Sequence, residues 1–352
     1  MSKTSTLLAS LAGAALVAAH GHVSHVIVNG VQYRNYDPSS DFYTPNPPTV
    51  LGWSALQQDN GFVEPNNFGT ADIICHKGAA PGKGSATINA GDKISIVWTP
   101  EWPESHIGPV IDYLANCNGP CETVDKASLR WFKIGGAGYD SATGKWAADA
   151  LRANGNSWLV QIPADLKSGN YVLRHEIIAL HGGPNPNGAQ AYPQCMNFRI
   201  NGSGSNSPAG VPGTSLYTAT DAGILFNPYV SNPQYPVPGP ALIAGAVSSI
   251  PQSKSVATRT ASATLPGDTG VAPTSAPVVP TSAAPVTTSS SARPTSTLVT
   301  VVTTTAPATT AAPTGAAQTK WGQCGGSGWA GATACVAGST CSVLNPYYHQ
   351  CV

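Results

Sequence analysis

The sequence has few charged residues: they make up 10% of its 352 positions, and 17 lysines and arginines balance 17 aspartates and glutamates. Proteins bind nucleic acids and acidic lipid surfaces through clusters of basic side chains. The composition therefore argues against a nucleic acid and against a membrane surface as partners. A neutral polar polymer is more compatible with it.

The chain also lacks an apolar run of the roughly 20 residues that cross a bilayer. Its N-terminal run, at 7–17, is shorter and is followed by two alanines, the small residues that a signal peptidase recognises. We therefore expect a signal peptide over residues 1–19, cleavage before His20, and a secreted protein without a membrane span. Cleavage there would place two nitrogens of His20, the α-amino group and ring Nδ1, where they can chelate one metal ion.

No segment has a helical hydrophobic period longer than three turns. Short β-type runs separated by Gly, Pro and Asn occur instead, and the candidate strands are 23–28, 86–88, 93–99, 131–134, 157–162, 170–180 and 196–200. Along 171–177, Tyr171, Leu173 and Ile177 share one face, as in a half-buried strand. Many short strands with turn signals predict an all-β fold, an immunoglobulin- or fibronectin-like β-sandwich with long loops.

Aromatic residues are absent between Tyr235 and Trp321, and from about residue 247 the composition shifts to Ser, Thr, Pro, Ala and Val. Such a stretch buries too little apolar surface to offset chain entropy, so we expect a disordered, O-glycosylated linker. The predicted layout is a signal peptide at 1–19, a large domain at 20–246, a linker at 247–319 and a small module at 320–352.

Eight cysteines, an even number, indicate disulfides in a secreted chain. They fall into two groups of four, which are Cys75, Cys117, Cys121 and Cys195, then Cys324, Cys335, Cys341 and Cys351. Pairing within each group leaves three connectivities per group. Cys117 and Cys121 bracket a turn-prone Asn-Gly-Pro segment, and their local closure would leave Cys75 to pair with Cys195.

The tail contains Trp321-Gly-Gln-Cys-Gly-Gly-Ser-Gly-Trp329 and then Leu344-Asn-Pro-Tyr-Tyr-His-Gln-Cys351. These segments closely resemble a fungal family-one carbohydrate-binding module, a small disulfide-rich β module that binds cellulose. The resemblance implies the pairs Cys324–Cys341 and Cys335–Cys351. It also implies a flat aromatic binding strip formed by Trp321, Tyr347 and Tyr348. Asn345 and Gln350 would flank this strip as hydrogen-bonding partners. Aromatic rings cover the apolar face of a sugar well, although in so small a module they could instead be its core.

The large domain contains four further motifs. They are His20-Gly-His-Val-Ser-His-Val-Ile-Val-Asn-Gly30, Ser105-His-Ile-Gly-Pro-Val110, Arg174-His-Glu-Ile-Ile-Ala-Leu-His181 and Gln190-Ala-Tyr-Pro-Gln-Cys195. Together and in this order they resemble the fungal lytic polysaccharide monooxygenases of auxiliary-activity family nine, formerly glycoside hydrolase family 61.

The resemblance implies a copper site, one copper per domain, held by His20 through its amino group and Nδ1 and by His106 through its other ring nitrogen. Tyr192 would be the axial residue, and His181 and Gln190 would hydrogen-bond a bound oxygen species. Nitrogen ligands of this kind hold Cu(II) strongly. Each residue has an ordinary alternative: His106 as a solvated loop histidine, and Gln190 and Tyr192 as buried polar residues near a disulfide.

The implied activity is oxidative cleavage of β-1,4-glucosidic bonds in cellulose, at C1, C4 or both. It would require O2 or H2O2 and an external electron donor, either a small reductant or a redox protein. A crystalline substrate calls for a flat surface, to which the family pattern assigns Tyr43 and Tyr229, two loop residues. We expect a monomer, and Asn201 begins an N-glycosylation sequon.

Two other functions remain open from the sequence. A cellulose-active glycoside hydrolase needs two carboxylates roughly 5–10 Å apart, and the available glutamates are Glu64, Glu101, Glu104 and Glu176. None of them lies in a motif that suggests a pair. A non-catalytic copper-binding protein that loosens cellulose would bind the metal without releasing oligosaccharides. The remaining histidines, His22, His25, His76, His175 and His349, are interpreted as structural or surface residues.

Overall fold

The computed structural model describes residues 21–99, 101–265, 317–318, 323–325, 331–345 and 348–351. The chain divides into two units, 1–279 and 280–352, which are described separately below. The predicted signal peptide, His20, and the segment 266–316 of the predicted linker lie outside the described residues.

The large unit consists of strands joined by long loops. Its strands are β1 (His22–Val28), β2 (Val31–Arg34), β3 (Ala86–Asn89), β4 (Lys93–Thr99), β5 (Val110–Asn116), β6 (Arg130–Ala137), β7 (Tyr139–Asp140), β8 (Lys145–Trp146), β9 (Ser157–Gln161), β10 (Gly169–Ala179), β11 (Gln190–Asn201), β12 (Val211–Pro212) and β13 (Arg259–Ala261). Two short helices, α1 (Asp72–Cys75) and α2 (Ala147–Ala153), accompany them. In the described part of the chain no helix exceeds two turns, as expected from the lack of helical periodicity.

Two sheets pack face to face. One has the strand order β13-β2-β1-β4-β9, and the other has the order β12-β6-β5-β10-β11-β3. The inward-facing apolar side chains of both sheets form one core, to which Val26, Ile96, Leu114, Leu173 and Phe198 contribute. The predicted all-β sandwich is confirmed, because residues alternating along each strand supply one apolar face to that core.

The outer face of β10 differs from the expectation of a half-buried strand. Every residue from Tyr171 to Ala179 is buried. Its outer apolar residues pack in a second cluster with loop residues such as Phe68, Leu129 and Leu216. The charged outer residues are fully buried as an ion pair, with Arg174 Nη2 2.7 Å from Glu176 Oε1. Long loops cover this face, which the alternating pattern of one strand does not reveal.

Sequence patterns located the strands they found to within a few residues but missed others. β4 has the predicted limits, whereas β11 begins at Gln190, well before the predicted residue 196. β5, at Val110–Asn116, was not predicted as a strand. It is buried on both faces in the middle of the second sheet, so it lacks the alternation on which the prediction depended.

Residues 247–265, here called the strap, correct the predicted domain boundary at residue 246. Strand β13 pairs in parallel with β2, and the backbone of Thr264 exchanges two hydrogen bonds of 2.9 Å with Ser85. At the opposite edge of the same sheet, the Gln252 amide accepts from Leu159 N–H at 2.7 Å and donates to Leu159 O at 3.2 Å. The strap is held by backbone groups of sheet edges, so its polar composition gave no sign of order.

Two disulfides lie in the large unit. Cys75–Cys195 joins α1 to β11 across 120 residues, and Cys117–Cys121 closes a short loop. These are the two pairs expected if Cys117 and Cys121 close the Asn-Gly-Pro turn and Cys75 pairs with Cys195. Asn201, the predicted glycosylation site, is the last residue of β11 and is partly exposed.

The described part of the small unit is a three-stranded antiparallel sheet of order β14-β16-β15, with β14 at Gln323–Gly325, β15 at Cys341–Asn345 and β16 at Tyr348–Cys351. The disulfides Cys324–Cys341 and Cys335–Cys351 are the pairs that the resemblance implied. Trp321 and Tyr347 lie outside the described residues. Asn345 and Tyr348 pair in register across β15 and β16, and Gln350 pairs with Ser342.

A membrane-spanning helix was not expected. None of the helices formed by the described residues is long and apolar enough to cross a bilayer.

Candidate metal site of the large domain

His106 lies in the loop that joins β4 to β5, and the local sequence explains its position. Gly108 brings this loop against β10 so closely that a Cβ there would lie 1.9 Å from the Ile178 carbonyl oxygen. The indole Nε1 of buried Trp102 donates to the His106 carbonyl at 2.9 Å. The His106 side chain is buried to 5% exposure and its Nδ1 lies 3.0 Å from Ser105 Oγ. Backbone and ring are therefore both fixed.

The hairpin of β10 and β11 supplies the other three predicted residues. His181 follows the end of β10, and Gln190 and Tyr192 are the first and third residues of β11. The pairing register places Ala179 opposite Gln190 and Ile177 opposite Tyr192. Leu180 N–H donates to the Ile107 carbonyl at 2.8 Å, which ties this hairpin to the loop of His106.

The structure brings these four side chains together. The ring centroids of His106 and His181 are 4.2 Å apart, and those of His106 and Tyr192 are 6.5 Å apart. The Tyr192 hydroxyl donates to Gln190 Oε1 at 2.7 Å. Residues distant in sequence thus converge at one end of the sandwich. His20, the remaining predicted ligand, lies outside the described residues, two positions before the start of β1.

Tyr192 is a buried hydrogen-bond donor. Its side chain is buried between Trp102, with ring centroids 4.9 Å apart, and Phe62, with centroids 5.9 Å apart. Burial, with the Asp59 carboxylate as a lesser cause, raises the pKa of the phenol well above its ordinary value of 10.0. The hydroxyl therefore keeps its proton and orients the amide of Gln190.

The two predicted surface tyrosines are exposed, Tyr43 to 58% and Tyr229 to 65%. The Tyr229 hydroxyl donates to the His181 carbonyl at 3.0 Å, so this residue borders the site directly. Tyr43 packs edge to face on exposed Phe42, with ring centroids 5.0 Å apart. Both rings are exposed, as a flat polymer surface would require, and Tyr229 has a contact with a residue of the site.

Several residues that contact the site were not predicted from the sequence. Trp102 and Phe62 enclose Tyr192, and Asn60 Oδ1 lies 2.7 Å from His22 Nδ1. His22, interpreted as structural, is buried, and its Nε2 lies 3.7 Å from Asp37 Oδ1. Apart from His22, the first residue of β1, these residues belong to loops, and no local pattern indicated which of them would fold against the site.

The donor set fits a copper ion. Ser105 engages Nδ1 of His106, so coordination would fall to Nε2, the nitrogen that the family pattern assigns. Imidazole nitrogens with a phenol close by are donors that suit Cu(II). The hydrogen bond between Ser105 Oγ and Nδ1 orients the His106 ring, as a hydrogen bond to the other ring nitrogen usually does for ligating histidines.

The four glutamates considered for hydrolysis have other surroundings. Glu176 is fully buried, paired with Arg174, and its Oε2 accepts from the Tyr217 hydroxyl at 2.6 Å. Glu64 lies 3.7 Å from Lys77 Nζ, and Glu104 lies 3.9 Å from Arg152 Nη2. Glu101 is exposed and lines an open cleft together with Glu104. A carboxylate at the centre of a hydrogen-bonded ion pair is a poor general acid.

The sequence matches two known protein families. The model of Auxiliary Activity family 9, formerly GH61, matches residues 20–235, and that of the fungal cellulose binding domain matches residues 320–348. The chain is 79% identical over 352 residues to AA9 family lytic polysaccharide monooxygenase A of Podospora anserina, covering 99% of each chain.

A second relative and one solved structure agree. The chain is 72% identical over 352 residues to AA9 family lytic polysaccharide monooxygenase H of Thermothelomyces thermophilus, covering 100% of each chain. The extended catalytic domain of H. jecorina LPMO9A superimposes with a TM-score of 0.68 at 54% identity, covering 70% of this chain and 100% of that one. The chain therefore belongs to auxiliary activity family 9, the lytic polysaccharide monooxygenases, and carries a fungal cellulose-binding domain at its C-terminal end.

Proposed function

We propose that this chain is a secreted, copper-dependent monooxygenase that cleaves β-1,4-glucosidic bonds of cellulose by oxidation at C1, C4 or both. The observation that carries the proposal is the convergence of His106, His181, Gln190 and Tyr192 at one end of the sandwich, with His106 and His181 rings 4.2 Å apart. Signal-peptide cleavage before His20 would complete the site with an amino group and an imidazole.

His20 and His106 would hold the copper, with the Tyr192 hydroxyl beside it. A copper ion held there would supply one-electron chemistry with O2 or H2O2, given an external electron donor. The chain's own contribution is orientation. Trp102 fixes the backbone of His106, and the buried Tyr192 hydroxyl holds the Gln190 amide through a 2.7 Å hydrogen bond.

His181 and Gln190 would control protons at the open side of the site. The Gln190 carbonyl oxygen accepts from Tyr192, so its amide nitrogen is directed to donate elsewhere. His181 is partly exposed and its backbone carbonyl is held by Tyr229, which keeps the ring beside that of His106. A positioned imidazole and amide can donate to an oxygen atom of a bound reactant.

The small C-terminal unit would anchor the enzyme on cellulose. Tethering to the polymer raises the local concentration of the large domain at its substrate. The binding strip assigned to it is Trp321, Tyr347 and Tyr348, with Asn345 and Gln350 as hydrogen-bonding partners. We expect Tyr348→Ala to weaken cellulose binding roughly fivefold, since one aromatic contact is worth about 1 kcal/mol.

The first test is intact-mass and N-terminal analysis of the secreted protein, followed by electron paramagnetic resonance after copper loading. The proposal expects a chain that begins at His20 and one Cu(II) with nitrogen ligands. A chain that begins elsewhere, or copper binding no tighter than to a His20-blocked sample, would overturn it.

The second test is product analysis on cellulose. Oxidised chain ends that require an added reductant are expected from the wild type, and His106→Ala should abolish them. His25→Ala is the matched control, because His25 is a half-buried histidine bonded to Ser24 on β1. Reducing ends formed without a reductant would indicate a hydrolase instead, and copper binding without any soluble product would indicate a non-catalytic protein.

A further inference from the structure

His76 has a backbone conformation that side chains rarely adopt. It follows α1 and the disulfide residue Cys75, with φ 92° and ψ 170°. This region is accessible essentially only to glycine. Among the described residues, all other non-glycine positions with positive φ are asparagines, which tolerate the left-handed region. His76 is moreover fully buried, at 0% exposure. A strained, buried histidine calls for a reason.

Both ring nitrogens of His76 are hydrogen-bonded. Lys77 N–H donates to Nδ1 at 2.9 Å, so Nδ1 is the acceptor and the proton must be on Nε2. Nε2 lies 3.0 Å from the Gly61 carbonyl, to which it donates. Burial lowers the pKa of His76 to about 3, so the ring keeps this neutral tautomer in mildly acidic medium.

The carbonyl that His76 holds belongs to a loop beside the candidate metal site, here called the 57–63 loop. In this loop Asn60 Oδ1 lies 2.7 Å from His22 Nδ1, at the start of β1. The next residue but one, Phe62, packs on the Tyr192 ring with centroids 5.9 Å apart. Gly61 lies between them, so the segment held by His76 contacts both His22, at the start of β1, and the ring of Tyr192.

The far end of the loop has its own attachment to β11. Val63 pairs with Ala191, through backbone hydrogen bonds of 2.8 and 3.1 Å. Near Gly61, two hydrogen bonds lie within the loop, from Asn60 N–H to the Gln57 carbonyl at 2.8 Å and from Gly61 N–H to Asp59 Oδ1 at 2.9 Å, and the His76 ring adds one from outside it. Lys77 Nζ lies 5.9 Å above the Phe62 ring and 3.7 Å from Glu64. Glycine at position 76 would relieve the backbone and phenylalanine would fill the space. Only a ring with one donor and one acceptor makes both hydrogen bonds.

We propose that His76 is a positioning residue of the metal site: by holding the Gly61 carbonyl it places Asn60 against His22 and Phe62 against Tyr192. His76 would thus position β1 and the Tyr192 phenol through the 57–63 loop, without being a metal ligand itself. The role in the reaction rests on the proposed function, whereas the anchoring of the 57–63 loop does not.

The anchoring is tested without metal, by amide hydrogen exchange of the copper-free protein. In His76→Phe the amides of Asn60 and Gly61 should exchange roughly tenfold faster, since one buried hydrogen bond is lost. The amides of β10 should be unchanged. His76→Gly is the second variant: it removes strain and should be well folded, yet show the same loosening. Unchanged loop exchange in His76→Gly would overturn the proposal.

The effect on the site is tested with the copper-loaded protein. Both variants should show a changed Cu(II) hyperfine splitting and a roughly tenfold lower reductant-dependent turnover number, with cellulose affinity unchanged. His76→Gln retains a donor at the distance of Nε2 and should recover part of both effects. His25→Phe is the matched control and should match the wild type.

Two outcomes separate the proposals from each other. A loosened 57–63 loop with an unaltered Cu(II) spectrum would overturn the positioning role, since the ring would then serve only the fold. A wild type that binds no copper would overturn the proposed function, while the exchange result would still decide whether His76 anchors the loop.

Discussion

The two units of this chain reach a stable fold by different means. The large unit encloses an apolar core between two sheets and a second cluster under its loops. In the described part of the small unit, the buried apolar side chains are Cys324 and Cys351, both from disulfides. A short chain cannot bury enough apolar surface, so covalent links replace the core. The disulfides should therefore be essential in one unit and supplementary in the other.

The largest expected effect comes from opening the disulfides of the small unit. Cys324–Cys341 and Cys335–Cys351 close loops of 17 and 16 residues, each worth about 3 kcal/mol. Replacing Cys335 and Cys351 by serine should unfold this unit and abolish its cellulose binding, measured by pull-down. The large unit should keep its far-ultraviolet circular dichroism spectrum.

The control replaces Cys117 and Cys121 by serine. This disulfide spans a sequence separation of only 4 residues, so its loss should leave cellulose binding intact. Retained binding in the first variant would break the comparison.

A cavity in the large core should cost somewhat less. Leu173 is fully buried on the inner face of β10. Leu173→Ala should lower the free energy of unfolding of the large unit by about 2–5 kcal/mol, because the cavity cannot close fully. Urea denaturation followed by tryptophan fluorescence measures this. Cellulose binding by the small unit should not change, and a parallel loss there would show that the two units are not independent.

The pH dependence of stability should distinguish the units further. The ordinary pKa of histidine is 6.5, and burial lowers that of His76 to about 3 in the folded large unit. Between these two pH values the His76 ring is protonated in the unfolded chain and neutral in the folded chain. The folded state therefore loses stability as pH falls from about 6.5 towards 3. Between pH 6 and 4 the loss attributable to His76 should be about 2–3 kcal/mol.

Denaturation of the wild type and His76→Phe at both pH values isolates this contribution. The variant should lose less stability on acidification than the wild type does. Equal losses in the two proteins would show that His76 does not titrate between folded and unfolded states.

The smallest effect concerns the strap. A chain truncated after residue 246 loses β13 from the edge of β2 and Gln252 from the edge of β9. It should unfold with about 1–3 kcal/mol less free energy than a chain truncated after residue 265, since a few exposed hydrogen bonds are lost. Chemical denaturation of the two truncated chains measures the difference. Equal stability of the two truncated chains would show that the strap does not stabilise the large unit and that its folded part ends at residue 246, as predicted from the sequence.

Prediction from sequence succeeded where a local pattern carried the information. β4 has the predicted limits, and the alternation of Tyr171, Leu173 and Ile177 correctly identified the inner face of β10. It failed where the environment is non-local. The outer face of β10 is covered by loops, and β5 is buried on both sides. Likewise, nothing near His76 in the sequence indicates that its ring reaches Gly61 across 15 residues.

By itself the sequence determined the β class, the family and the two groups of cysteines, and it predicted the donor residues, because periodicity and short motifs are properties of adjacent positions. The tertiary structure alone decided what surrounds those donors. It set Trp102 and Phe62 around Tyr192, Asn60 against His22, and the strap along two sheet edges. Such contacts join residues far apart in the chain. Their energies depend on which surfaces the completed sandwich leaves to be covered, and no local pattern records that.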